Sequence, residues 1–531
     1  MDVPGYNPLH IFVGILVLTF ILYQKSLNYD FSKVDDNKLI TDRIEWLSDL
    51  GNFPNIFLEP FLNTAEDPAK GSGYYRPIPV ATLMFDAMTS GLDAGGYHRS
   101  NLIFHLLCLL AFFFLLRSLS LNAPVVLFAV GIFAIHPAAT HAVCWIPGRT
   151  DLLLTLFSLL GLGFFARWYK NPQCLYWLVF FCSSYLLAAL SKESGLVIPG
   201  FIAATLYLGK RWGRIQGLSR RQWMIFLGSS FLVAATWMVM WRIAWHGRDV
   251  LGIYLMDSLQ YWPMIPYSVS KLAIPHQMTT LDHFNDLPLW FGLVTLPLGV
   301  WLWRFRGDFG SLMLCCVVWF LAAVTPTLIA SGTNILENRL YGLLPPFVLA
   351  VSIALGRMVT EFGARSNYGV AVGTGFWCLY LIMVTNAYMP AFADNETFLA
   401  GVRKNSSNSL FKHKSASILI NEGKYDEAES LLKSLNAAAK PAENVANNLG
   451  VIYLRRENLE MAERYFLLEL FRYPGDPLAT INLFNVYLKQ GKIDKCHLII
   501  RKGLEHYPEH PGLVAGRNLL EKIEKNELGE N

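Results

Sequence analysis

Apolar residues in this chain arrive in runs of membrane-crossing length, and that constrains its fold more than any other feature. The first, "LHIFVGILVLTFILYQ" at residues 9–24, is followed by ten more. A helix needs about 20 such residues to cross a hydrocarbon core. Eleven spans are predicted, near 9–23, 99–118, 123–138, 151–168, 173–190, 194–209, 222–243, 287–304, 310–330, 341–356 and 368–388. Only 16% of residues are charged, where soluble domains carry about 25%. The expectation is an all-α, polytopic membrane domain whose first run is a retained helix. A net charge of +4 is weak and is not clustered as a nucleic-acid footprint would be, so no nucleic-acid partner is expected. The eight cysteines include no CxxC pair, so neither a zinc site nor a disulfide framework is indicated.

Basic residues in short loops mark the cytoplasmic side. Lys210, Arg211, Arg214, Arg220 and Arg221 fall in one loop, Arg304 and Arg306 in a second, Arg357 and Arg365 in a third. With eleven spans these share one side, which places the N-terminus in the cytoplasm and the C-terminus outside. The outer segments are then 24–98, 139–150, 191–194, 244–286 and 337–341. The segment 244–286 is apolar but interrupted by Pro263, Pro266 and Pro275. Proline breaks helices, so interfacial or re-entrant helices are expected there, or two extra crossings that keep the sidedness.

From residue 409 the pattern changes to a 34-residue repeat. Asn448 aligns with Asn482, Tyr453 with Tyr487, Tyr473–Pro474 with Tyr507–Pro508 and Pro477 with Pro511; Ala428 precedes Ala462 by one period. That is the tetratricopeptide period of helix–turn–helix units. Lys495 and Cys496 replace the usual small pair, so the last unit is imperfect. The expected organisation is a membrane domain over 1–390, a linker over 391–408 and an α-solenoid of about three repeats over 409–531. Such a solenoid offers a concave surface for proteins or peptides; equally, it can cap the membrane domain.

Four outer motifs carry candidate chemistry. "KVDDNK" presents Asp35 and Asp36 beside a span, as a general base, as ligands for a divalent cation, or as a hydrated loop. "YYRPIPV" presents Arg76, whose fork of donors suits a phosphate, ahead of His98 and His105; Tyr and Arg also anchor chains at a membrane surface. "HPAATHAVCWIPGRTDLLL" sets His136 and His141 at one helix end and Arg149 with Asp151 at the next; an Arg149–Asp151 pair closing the turn is the structural alternative. "SKESG" and "ENRLYGLLPP" add Lys192, Glu193, Glu337, Arg339 and Tyr341. Two cations on one membrane face suit a phosphate or diphosphate, and snorkelling end-residues are the plainer reading.

In their order, "YDFSKVDD", "YYRPIPV", "GLDAGGYHRSNLIFHLL", "HPAATHAVCWIPGRTDLLL", "SKESG" and "ENRLYGLLPP", with the repeats, resemble the GT-C superfamily of polyprenyl-phosphate-sugar glycosyltransferases. The nearest branch joins this membrane domain to tetratricopeptide repeats: the transmembrane O-mannosyltransferases and their bacterial relatives. The resemblance implies that Asp35, with Asp36 second, takes the acceptor's proton. It implies that Arg149, Lys192 and Arg339 hold the phosphate of a polyprenyl-phosphate-sugar donor, with Arg76 beside them, and that transfer inverts the anomeric carbon. His98, His136, His141, Asp151, Glu193, Glu337 and Tyr341 are further site candidates. No cofactor is required; Mg²⁺ or Mn²⁺ on Asp35 and Asp36 is the alternative use of that pair. Asn338 separates Glu337 from Arg339 where relatives often have an acid directly before Arg and Tyr.

The short repeat array points to a bacterial inner-membrane protein with periplasmic repeats that present an exported protein acceptor, such as a pilin, for Ser/Thr O-glycosylation. The donor reaches the site from the membrane lipid. The competing readings are a non-catalytic scaffold that recruits partners through the repeats, a transporter, and a transferase acting on a lipid or polysaccharide. A transporter places its charges at midplane in broken helices, whereas here they gather at the outer rim.

Overall fold

A computed structural model of the chain describes residues 7–32, 35–61, 74–211, 216–245, 264–275, 278, 282–283, 308–330, 334–335, 337–361, 364–398, 400, 409–437 and 441–527. The chain forms two compact units, Met1–Gly401 and Val402–Asn531. Both are helical; a two-residue antiparallel ladder pairs Asp282–His283 with Asn334–Ile335.

The first unit begins with α1 (Pro8–Tyr23), started by Asn7, whose side chain accepts from the Leu9 N–H, and by Pro8 at the first helical position, where its missing N–H costs nothing. Short turns follow: α2 (Asp36–Leu39), α3 (Ile44–Ser48) and a 3₁₀ stretch Leu50–Phe57. These lead to α4 (Pro77–Ser90) and α5 (Ala94–Ser118), the latter capped by Asp93 on the Gly95 N–H. α6 (Ala123–Ile135) and α7 (Pro137–Cys144) are bent by 56° at Pro137, which cannot continue the ladder of helix bonds. α8 (Arg149–Lys170), α9 (Leu175–Ser191), α10 (Ile198–Arg211) and α11 (Arg220–Ala244) follow, α11 opened by a Ser219–Gln222 capping box. Later come α12 (Met264–Ala273), α13 (Asp308–Ala330), a 3₁₀ turn Glu337–Leu343, α14 (Leu344–Glu361) and α15 (Ala364–Tyr388).

Among the described residues six helices are long and apolar enough to cross a membrane, or seven with the bent α6–α7 pair. The eleven expected spans therefore do not all appear as full-length helices. α9 has 17 residues and α10 has 14, or about 26 and 21 Å at 1.5 Å per residue, short of a roughly 30 Å core. The expected span 287–304 lies outside the described residues, as do Arg214, Arg304 and Arg306. Of the segment 244–286, the ten-residue α12 is helical.

Residues 391–398, expected as linker, fold into the first unit. Phe392 and Phe398 are buried, packed on His141 and Trp145, and the Asp30 N–H donates to the Ala393 carbonyl at 2.9 Å. Burial of two aromatic side chains outweighs the segment's polar appearance.

The second unit is a series of helix pairs: α16 (Ser409–Asn421) with α17 (Tyr425–Asn436), α18 (Val445–Arg455) with α19 (Leu459–Arg472), α20 (Pro477–Lys489) with α21 (Ile493–His506), then α22 (Pro511–Glu527). Each pair turns through a residue of positive φ, at Gly423, Glu457 and Gly491, one 34-residue period apart. Buried Ala462, Phe466, Leu483, Phe484, Cys496 and Leu513 fill one core between successive pairs. Buried Glu469 accepts from the N–H groups of Asn444, Ala446 and Asn447, satisfying the first turn of α18.

Candidate functional site

α8 builds one wall of a cavity of about 450 Å³. Asp151, Leu154, Thr155, Ser158, Leu159 and Leu162 line it; their spacing is that of a single helical face. The eleven helical steps from Asp151 to Leu162 span about 16 Å. Val197, Ile198 and Phe201, and Trp319, Ala322 and Ala323 of α13, make the apolar remainder. Around Asp151, at the helix start, the lining changes to Arg76, Lys192, Glu193 and Arg339.

Four of these charges, Asp151, Lys192, Arg76 and Glu193, are fixed by long-range partners. Lys192 Nζ donates to Asp151 Oδ1 at 2.6 Å, and Asn338 Nδ2 donates to Asp151 Oδ2 at 2.8 Å. Arg76 donates through Nε and a terminal nitrogen to Glu193 Oε2, at 3.1 and 3.0 Å, while Glu193 Oε1 accepts from the Tyr75 N–H. The Arg76 guanidinium lies 4.2 Å from the Tyr74 ring centre, a cation–π contact. Burial pulls the Lys192 ammonium below its ordinary value; Asp151 opposes that shift, and Arg76 and Arg339 add to it. Three cations against two carboxylates leave the cavity with one positive charge in excess.

Arg149 is not among the cavity residues. Its buried guanidinium lies 2.7 Å from Asp86 Oδ2 and donates to Asn101 Oδ1 at 3.1 Å, Thr82 Oγ1 at 3.2 Å and the Tyr97 carbonyl at 3.2 Å. The alternative Arg149–Asp151 pair does not form either: residues two apart on a helix point to different faces, so Arg149 turns to Asp86 of α4 and Asp151 to Lys192.

Asp36 is buried beside this network. Its Oδ2 accepts from the Ser32 N–H at 2.6 Å and the Ser32 hydroxyl at 2.9 Å, and Ser32 Oγ accepts from Trp145 Nε1 at 3.0 Å. The segment between α1 and α4 is thereby tied to the turn that leads into α8. Burial pushes the Asp36 carboxyl up to about 7; the Ser32 bonds oppose this, Asp35 adds to it and Arg149 opposes it. Asp35 precedes α2, half-buried. Neither acid lines the cavity. Among the described residues no group of three or more His, Cys, Asp or Glu is arranged to hold a metal ion.

The remaining candidates are buried and do not line the cavity. Glu337 accepts from Lys271 Nζ at 2.9 Å and from the Tyr388 hydroxyl at 3.1 Å. Tyr341 meets His105 Nδ1 at 2.8 Å. His136 accepts the Ala138 N–H on Nδ1 at 3.1 Å, which leaves Nε2 to donate to the Leu272 carbonyl at 2.8 Å; this assigns the neutral tautomer and a strut's role. His98 packs edge-on to Tyr29, and His141 against Trp145 and Phe392. Sequence reasoning missed Asp86, Asn101, Asn338 as the partner of Asp151, and Lys271. Asp86 and Lys271 each interrupt an apolar stretch, which is the available signal.

The architecture is that of a multispanning helical membrane protein with a charged cavity continuing into an apolar trench. No protein-family model matches the chain. It is similar to human protein O-mannosyl-transferase TMTC3, 23% identical over 506 residues that cover 89% of this chain and 52% of that protein. It is also similar to Drosophila melanogaster protein O-mannosyl-transferase Tmtc3, 30% identical over 220 residues covering 36% of this chain and 23% of that one. The chain thus spans about half the length of the human relative. Among solved structures it aligns with the Archaeoglobus fulgidus oligosaccharyltransferase AglB in complex with an inhibitory peptide and a dolichol-phosphate, at 13% identity and TM-score 0.46 over 78% of this chain and 59% of that one. ArnT from Cupriavidus metallidurans bound to undecaprenyl phosphate aligns at 13% identity and TM-score 0.45 over 96% and 87%.

Proposed function

We propose that this protein is a GT-C-type membrane glycosyltransferase. It moves a sugar from a polyprenyl-phosphate carrier to a serine or threonine hydroxyl of a protein, on the periplasmic or lumenal face of the membrane. The observation that carries this reading is the cavity in which Arg76, Lys192 and Arg339 meet an apolar trench along α8. A lipid phosphodiester has those two parts: one negative charge and an isoprenoid tail. The names of the similar proteins make mannose the first sugar to test.

The excess positive charge matches the donor's single negative charge. As the bond between the anomeric carbon and the phosphate oxygen breaks, its electron pair stays on that oxygen and the lipid phosphate gains a second charge. Preorganised cations stabilise that gain more than they stabilise the ground state. Asp151, Glu193 and Asn338 hold the cations in orientation. The acceptor hydroxyl attacks the carbon opposite the leaving phosphate, inverting it, and Asp35, which lies outside the cavity lining, is the proposed acceptor of the hydroxyl proton once the polypeptide is bound. Asp36, clamped by Ser32, positions Asp35, and Arg149 fixes the helices on which the loop rests. The leaving phosphate needs no protonation, so neither a second acid nor a metal ion is required; Mg²⁺ or Mn²⁺ on the acid pair is the alternative use of those side chains. The second unit acts as a tetratricopeptide solenoid that presents an exported protein, such as a pilin, in a bacterial inner membrane with a cytoplasmic N-terminus.

The test is reconstitution of the full chain in vesicles with polyprenyl-phosphate-mannose and a Ser/Thr-rich polypeptide, followed by mass spectrometry of the polypeptide. Addition of one hexose with release of polyprenyl phosphate is expected. Intact donor and unmodified polypeptide, across hexose donors and lipid lengths, overturn the reading.

A further inference from the structure

The proline-broken segment carries a buried cation, Lys271, that lies outside the cavity lining. Lys271 of α12 is buried, and its ammonium lies 2.9 Å from the equally buried Glu337 carboxylate. α12 is held by side chains from the α6–α7 junction and from α15: His136 Nε2 donates to the Leu272 carbonyl at 2.8 Å, and Trp377 Nε1 donates to the Ala273 carbonyl at 3.0 Å. Lys271 therefore projects from a fixed platform. Its partner opens the 3₁₀ turn Glu337–Leu343. The next residue, Asn338, donates to Asp151, and the one after it, Arg339, lines the cavity. Further along the turn Tyr341 is bonded to His105, which fixes its far end.

The geometry points to Lys271 as a positioning residue for the donor phosphate. Through its ion pair with Glu337 it sets the turn that places Arg339 in the cavity and Asn338 on the Asp151 carboxylate that holds Lys192. This rests on the transferase reading. Two buried charges with short partners hold a single arrangement, because a displaced carboxylate has no water to turn to. Without the ammonium, the Glu337 carboxylate keeps the Tyr388 hydroxyl bond but loses this buried ion pair, and the shift or protonation that follows loosens the start of the turn. A displacement near 1 Å at a phosphate-binding cation costs about 100-fold in catalysis.

The experiment compares wild type, Lys271→Met, Lys271→Arg and the paired variant Lys271→Met/Glu337→Gln, each as the full chain in vesicles. KM for the polyprenyl-phosphate-hexose is measured separately from KM for the polypeptide. The expected result for Lys271→Met is a donor kcat/KM lower by about 100-fold, carried by donor KM, with polypeptide KM unchanged. The paired variant, which removes both charges, recovers most of the loss, and Lys271→Arg lies between. A merely structural role lowers the yield of active protein and leaves both KM values alone; that outcome overturns the assignment. Failure of the paired variant to recover, with donor KM still high, also overturns it, because Lys271 then acts on the substrate directly. Binding of polyprenyl monophosphate by native mass spectrometry separates this proposal from the transferase reading. Should the wild type transfer no sugar yet bind the lipid phosphate, weakened binding in Lys271→Met sustains the positioning role while the reaction assignment falls; unweakened binding sinks the positioning role.

Discussion

Arg149 and Asp86 meet at 2.7 Å with both side chains buried. The pair joins the start of α8 to the middle of α4, and Asn101 of α5 completes it by accepting from Arg149 and donating to the Trp145 carbonyl at 3.1 Å. Three helices and the turn before α8 are thereby locked by one guanidinium. Breaking a buried pair by removing one charge costs about 3–5 kcal/mol, since the other is left uncompensated. Asp86→Asn is therefore expected to lower thermal stability in detergent by that order, and Asp86→Asn combined with Arg149→Met to recover part of it. Equal unfolding midpoints for wild type and Asp86→Asn would contradict the buried pair.

Lys192 donates to Asp151, one of the cavity's two carboxylates, at 2.6 Å. Lys192→Gln keeps a donor for Asp151 and removes the charge. Losing one preorganised electrostatic contact of this kind costs about 10²–10³ in kcat. Sugar transfer should fall by that factor while the protein's unfolding temperature stays within a few degrees. A rate within twofold of wild type excludes Lys192 from the phosphate site.

Asp35→Asn removes the proton acceptor without altering side-chain size. A drop of about 10²–10⁴ in transfer is expected, the usual contribution of general-base catalysis, with lipid-phosphate binding retained. Unchanged transfer by Asp35→Asn removes it as the base.

The Asp36 carboxyl is raised from 3.8 to about 7 by burial. Between those values the folded protein binds a proton that the unfolded chain does not, so stability falls as pH rises through this window. The contribution is fully present below pH 4 and lost above pH 7. Unfolding midpoints measured from pH 4 to 8 should show this slope in wild type, and Asp36→Asn should flatten it. A slope of the opposite sign, unaffected by Asp36→Asn, refutes the assignment.

Gly423 and Gly491 occupy left-handed backbone, at φ +77° and +69°, with open space where a Cβ would stand. Alanine there meets no neighbour and pays only the backbone penalty, about 1–2 kcal/mol per residue. Gly491→Ala should raise hydrogen exchange in the second unit of the full chain and leave exchange in α5 and α8 unchanged. Equal protection in both units rejects the strain.

The 34-residue period was legible because each unit is held by near neighbours. Positive φ recurs at residues 423, 457 and 491, although Glu457 hides the turn that glycine marks in the other two. The apolar runs likewise announced most of the membrane helices, since helix formation in lipid depends on local composition and length. The motif cations Arg76, Lys192 and Arg339, with Asp151 and Glu193, do converge on one cavity, and α8 shows why: its apolar residues repeat at helical spacing behind Asp151.

What the sequence by itself determined is therefore local: which segments are helical, which are apolar enough to cross a membrane, where the repeats turn, and which polar residues stand at helix ends. Only the tertiary structure decided the partners of the charges. It gave Arg149 to Asp86, Asp151 to Lys192 and Asn338, and Glu337 to Lys271, across separations of 63, 41, 187 and 66 residues. The physical reason is that a buried charge takes whichever partner packing brings within hydrogen-bonding distance, and packing between distant helices is set by their whole faces, not by the residues beside the charge.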